Sequence, residues 1–140
     1  MTTILNAVSG TGFSTTADGS GIVKLQSNGV TTNALAWVNF GYVASAVTVR
    51  ASYNVSSITR QTTGNYTLNF TNLTTDANYV TSGAGTNSSN ACLIYVPFNT
   101  GNGGAYTAPT TANFIFATMN NVTNGSLADP NYFLITVFGN

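Results

Sequence analysis

The sequence predicts an all-β protein, an antiparallel β-sandwich of about eight strands with a jelly-roll-like arrangement. Three observations carry that expectation. Apolar and polar residues alternate with period two through much of residues 34–140, as half-buried strands require. Clusters of Gly, Asn, Ser and Thr separate these runs at hairpin-turn lengths. No segment carries a helical apolar stripe of useful length. A chain of 140 residues reads as one domain over residues 34–140, with an N-terminal extension or connector over residues 1–33.

The connector holds four Gly-containing turns, the last at Asn28-Gly29, and a short strand candidate at Ile22–Leu25. From Ala34 onward Ala36, Val38 and Phe40 alternate with Leu35, Trp37 and Asn39, and Trp37 is expected in the core. Val47, Val49, Ala51 and Tyr53 are expected on one face of the next strand. Val55 to Arg60 makes a third strand, and residues 61–65 turn the chain into a return strand presenting Tyr66, Leu68 and Phe70 together. A strand begins at Tyr79–Ser82, a polar loop is expected over Gly83–Asn90, and Ala91–Phe98 follows. Ala112–Met119 and Tyr132–Phe138 complete the set.

Two of these strands are apolar on both faces. In the last one Tyr132, Leu134 and Phe138 back Phe133, Ile135 and Val137; in Ala91–Phe98, Leu93 and Tyr95 back Cys92, Ile94 and Val96. An antiparallel strand normally shows one face to water. A second covered surface is therefore expected, through association with further copies of the chain in preference to a larger loop lying over the sheet.

The polar positions hold amides and hydroxyls in place of charge. Three basic residues, three acidic ones and no histidine make 4% charged residues, against roughly a quarter in ordinary domains. Zero net charge removes the electrostatic attraction that dominates nucleic-acid binding. No apolar run reaches the length of a membrane span, so neither nucleic acid nor membrane insertion is expected. Cys92 is the single cysteine and reads as a buried thiol. Without His or Glu, general acid–base chemistry would fall to Asp18, Asp76 and Asp129, each flanked by turn residues and read as a local turn cap. The expectation is therefore no enzyme, no catalytic residue, no metal and no cofactor.

What remains is recognition by uncharged groups carried on loops. Asn87, Asn102 and Tyr106 are the candidate receptor-binding residues, because amides and a phenol suit hydrogen bonding and stacking against sugars.

Residues 34–80 carry an ordered set of motifs: AWVNF at Ala36–Phe40, VRASYNVSSIT at Val49–Thr59, GNYTLNF at Gly64–Phe70 and DANY at Asp76–Tyr79. This set resembles a segment common in tail-fibre and related virion proteins of tailed bacteriophages. The resemblance implies a β-rich module near a fibre tip, a homotrimer located on the virion among other virion proteins, contacting a host-surface glycan or another receptor. The chain has no long fibre shaft before residue 34, which leaves a non-adhesive capsid-decoration or fibre-assembly subunit as the alternative.

Overall fold

The computed structural model describes residues 26–27, 30–31, 34–88, 90–95, 107–120 and 126–139. Two short strands, β1 (Gln26–Ser27) and β2 (Val30–Thr31), pair with each other. Eight more follow: β3 (Ala34–Val43), β4 (Ala46–Tyr53), β5 (Val55–Thr62), β6 (Asn65–Phe70), β7 (Val80–Thr86), β8 (Ala91–Tyr95), β9 (Asn113–Asn120) and β10 (Tyr132–Phe138). They form one antiparallel sheet in the order β4-β3-β10-β7-β8-β9-β6-β5. The two edge strands, β4 and β5, are consecutive in the chain and separated only by Asn54. The sheet is thereby folded back on itself into a nearly closed sandwich, and the eight-strand, all-β expectation holds.

Alternation explains what lies inside. Ala36, Val38 and Phe40 of β3, Tyr66, Leu68 and Phe70 of β6, Phe114 and Phe116 of β9, and Phe133, Ile135 and Val137 of β10 are buried. Phe40 meets Tyr66 edge-on at 5.4 Å between ring centroids, while Tyr66 stacks on Phe116 at 5.6 Å. Tyr66 and Phe116 are neighbours on the paired strands β6 and β9, and Phe40 of β3 meets both edge-on, so its contacts hold the two halves of the sheet face to face. Cys92 is buried as expected.

Three sequence expectations need correction. Trp37 is not in the core: it is 40% exposed, on the outer face of β3. Nor do Val47, Val49, Ala51 and Tyr53 share a face. The β3–β4 register shifts between Asn39 and Phe40, with Asn39 opposite Ala51 and Phe40 opposite Val49. Arg50 is the extra residue of a bulge, which turns Val47 and Val49 towards the Phe40 side and Ala51 and Tyr53 towards the Trp37 side. Finally, β7 continues through Gly83 and Gly85, where a loop was expected. Both glycines lie opposite inward-facing residues, Ile135 and Phe133. A Cβ on Gly85 would sit 2.1 Å from the Tyr132 carbonyl oxygen and 2.5 Å from the Phe133 ring. Glycine there is required by the close approach of β10, and it does not break the strand.

Asn54 makes the corner between the sheet's edges. It holds φ of 54°, a region that asparagine tolerates better than most residues. Its amide donates to the carbonyl oxygens of Leu35 (3.0 Å) and Asn72 (3.2 Å), and its Oδ1 accepts the Asn72 amide at 2.7 Å. The stretch 126–131 ahead of β10 crosses one end of the sandwich and closes it. Its backbone bonds Thr118 through Ala128, Tyr42 through Pro130 and Thr86 through Asn131.

Candidate functional site

The outer surface of β4, β3, β10, β7 and β8 is the feature that the fold leaves unexplained. Residues directly opposite in an antiparallel ladder share a face. Tyr53 lies opposite Trp37, and Trp37 opposite Thr136. A second row runs Ala51, Asn39, Leu134, Ala84, Leu93. A third pairs Phe138 with Val80. On this face Leu134 is 50% exposed and Val80 68% exposed, and Tyr53, Leu93, Tyr132 and Phe138 are exposed as well.

One charge borders the patch. Arg50, displaced by the bulge, reaches over Gly41, where a Cβ would approach its guanidinium to 3.1 Å. It donates to the Asn131 carbonyl oxygen at 2.9 Å and lies 4.7 Å from the centre of the Tyr132 ring. The Tyr132 hydroxyl accepts from the Asn39 amide at 2.7 Å. Asn39 Oδ1 is buried without a hydrogen-bond partner among the described residues. The arrangement is a surface of aromatic and aliphatic side chains with hydroxyls between them. It can bury apolar surface or stack rings.

The second concentration of chemistry is Asp129. Its two oxygens accept from Arg60 at 2.9 and 2.8 Å, and Oδ1 also accepts the Gly64 amide (2.9 Å) and the Tyr66 hydroxyl (2.5 Å). Arg60 in turn lies over the Tyr42 ring and donates to Thr63. Burial alone would push the Asp129 carboxyl up; the bonds from Arg60, Gly64 and Tyr66 outweigh it and hold the carboxyl below the usual range. Burial and the neighbouring carboxylate push the Tyr66 hydroxyl up. This is an ion pair with its acceptors filled, and it fastens the end-closing segment to the β5–β6 hairpin. Asp129 was expected to be a local turn cap; its partners lie more than sixty residues away in sequence. Asp76 does cap locally, accepting the Asn78 amide at 2.7 Å. Asp18 lies outside the described residues.

Of the three receptor-binding candidates, Asn102 and Tyr106 lie outside the described residues. Asn87 follows β7, and its amide is engaged within the chain. It donates to Asn120 Oδ1 at 2.6 Å and accepts the Asn90 amide at 2.8 Å, closing the β7–β8 turn. The sequence reading overlooked Trp37 and Tyr53 as surface residues. The double apolarity of Tyr132–Phe138 was the signal that pointed to their face.

Among the described residues no group of three or more His, Cys, Asp or Glu is placed to hold a metal ion, and no helix is long and apolar enough to cross a membrane. No family model matches the chain, and neither a curated protein nor a solved structure matches it.

Proposed function

We propose that the chain is a structural protein of a phage virion, a homotrimeric tail-fibre tip module that contacts a host-surface glycan or another receptor and catalyses no reaction. One observation carries the reading: an almost uncharged chain leaves a broad apolar face of its sheet bare. Such a face fits a subunit that works against another surface. The motif set in residues 34–80 suggests the virion setting; its first three pieces fall on β3, β4, β5 and β6, and the fourth lies in the connection between β6 and β7.

A second reading, a non-adhesive capsid-decoration or fibre-assembly subunit, draws on the aliphatic part of the same face. Leu134 and Val80 are more exposed than Trp37, and aliphatic side chains favour protein–protein burial over ring stacking. Labelling the protein on intact virions with an antibody separates the two. Label at the fibre ends, with adsorption to host cells blocked, supports the tip module. Label on the capsid with adsorption unchanged supports the decoration subunit. Virions without label overturn both.

A further inference from the structure

We infer that the outer face centred on Trp37 and Leu134 is the surface through which this chain binds a second copy of itself. The inference rests on the assembly reading above and names the surface that performs it.

Area is the first argument. Taking about 200 Å² for a large side chain in the open, the exposed fractions on this face amount to roughly 650 Å². The largest apolar patch on an ordinary monomer is about 300–600 Å², and each partner of a standard interface contributes about 800 Å². The face is therefore at the upper end of what a free surface carries and close to the size of an interface half. The polar residues among the apolar ones, such as Thr136 and Ser82, bring it nearer to that size.

Charge is the second argument. Across the face, the only charged group among the described residues is Arg50, held at the edge against Asn131 and Tyr132. Copies of a face without charge, gathered around the axis of a trimer, meet with almost no like-charge repulsion and little cost of desolvating ions. A nucleic acid, an anionic membrane or a charged peptide would find nothing complementary here. A neutral glycan would stack on Trp37 and Tyr53, but it would leave Leu134, Val80 and Leu93 bare. A second copy covers them all.

The third point makes the inference measurable. Trp37 is the only tryptophan in the chain, so its fluorescence reports on this face alone. In the full-length protein, dilution from about 100 μM to below 1 μM should shift Trp37 emission from buried to solvent-exposed wavelengths, in step with a fall in mass by light scattering. Leu134→Lys, at a half-exposed position, should weaken self-association at least tenfold, as removal of a central interface residue does. Thr59→Lys, on the outer face of β5, should leave it unchanged. Circular dichroism on both variants establishes that each is folded.

Several results overturn the inference. A protein that stays monomeric throughout does so. So does association that survives Leu134→Lys, or that fails with Thr59→Lys. Emission that is blue-shifted in protein that light scattering shows to be monomeric means that the rest of the same chain covers the face. Saturable quenching of dilute monomer by neutral oligosaccharides means that the face serves sugar. Virion labelling is independent of all these readouts, so failure of the virion reading and failure of this interface are distinguished.

Discussion

The two outer faces of this sheet differ although one ladder joins them. On β5 and β6, Thr59 lies opposite Thr67 and Ser57 opposite Asn69. There the side chains bond to one another: Asn69 donates to Ser57 at 2.9 Å, and Gln61 to Thr67 at 3.1 Å. On β3 and β10 the equivalent outward positions hold Trp37, Leu134 and Phe138. Both halves face the same aromatic core, so the core does not set the difference. The inward residue at each step satisfies the fold, and the outward one reflects what lies outside. Hydroxyls and amides on β5–β6 suit water. Tryptophan, leucine and phenylalanine on β3–β10 suit a partner.

The largest expected effect tests whether the outward apolar residues are merely displaced core. Strand β7 has no side chain at Gly83 and Gly85, since the β10 backbone and the side chains of Phe133 and Ile94 occupy that space. Gly85→Val should destabilise the protein by more than about 4 kcal/mol or prevent folding, because the added atoms collide with backbone as well as ring. Urea unfolding, or recovery of soluble protein, reads the result. A mild effect would mean that the interior of this half has room. Its outer apolar residues would then need no partner to explain them.

Next in size is Asp129→Asn. It removes a charge from a cluster in which Arg60, Gly64 and Tyr66 all donate to the carboxylate. Loss of charge-assisted, partly buried bonds costs about 2–3 kcal/mol. Urea midpoints should fall accordingly, with the apolar face unchanged in its Trp37 emission. Such a result would separate what holds the sandwich shut from what the outer face does.

The pH dependence follows from the same groups. The folded Asp129 carboxyl is held below its unfolded value of about 4. Its contribution to stability is complete above that pH and is lost as pH falls through the lower folded value. Burial pushes the Tyr79 hydroxyl up to about 12 and raises that of Tyr66 too. These contributions are complete below about pH 10 and are lost as pH rises through the folded values. Burial pushes the Cys92 thiol up as well, and its contribution begins to be lost above about pH 8.5, where the unfolded thiol ionises. Denaturant midpoints should therefore be flat from about pH 5 to 8 and fall on both sides. A slope within that window would show that some other group governs stability.

Much of this was legible in the sequence, for reasons that can be traced to particular residues. Period two placed Tyr66, Leu68 and Phe70 inside without error, because a regular strand buries every second residue. It failed on β4, where the bulge at Arg50 exchanges the two faces: composition does not announce a bulge. It failed on β7 because Gly83 and Gly85 are turn signals by themselves, and only the register opposite Phe133 and Ile135 makes them strand residues. Trp37 was placed inside on the strength of its size; the alternation with Val38 already put it outside. Asp129 looked local because its partners, Arg60 and Gly64, are distant in sequence. Asn54 gave no signal of its corner role beyond its position between two strands.

The smallest effects sharpen the comparison most, because they ask how the two faces behave with nothing bound. In dilute solution Leu134→Thr should cost about 1 kcal/mol, since the side chain is already half exposed and gives up only part of a full burial. Thr59→Val should stay within about 0.5 kcal/mol, as exposed strand substitutions do. At high concentration the pair should diverge. Wild type and Thr59→Val should gain apparent stability together, by mass action on an associating folded state, while Leu134→Thr gains less. Urea midpoints at two concentrations a hundredfold apart supply the comparison. If all three proteins move together, the β3–β10 face is no different from the β5–β6 face. Its tryptophan and leucine are then ordinary exposed residues.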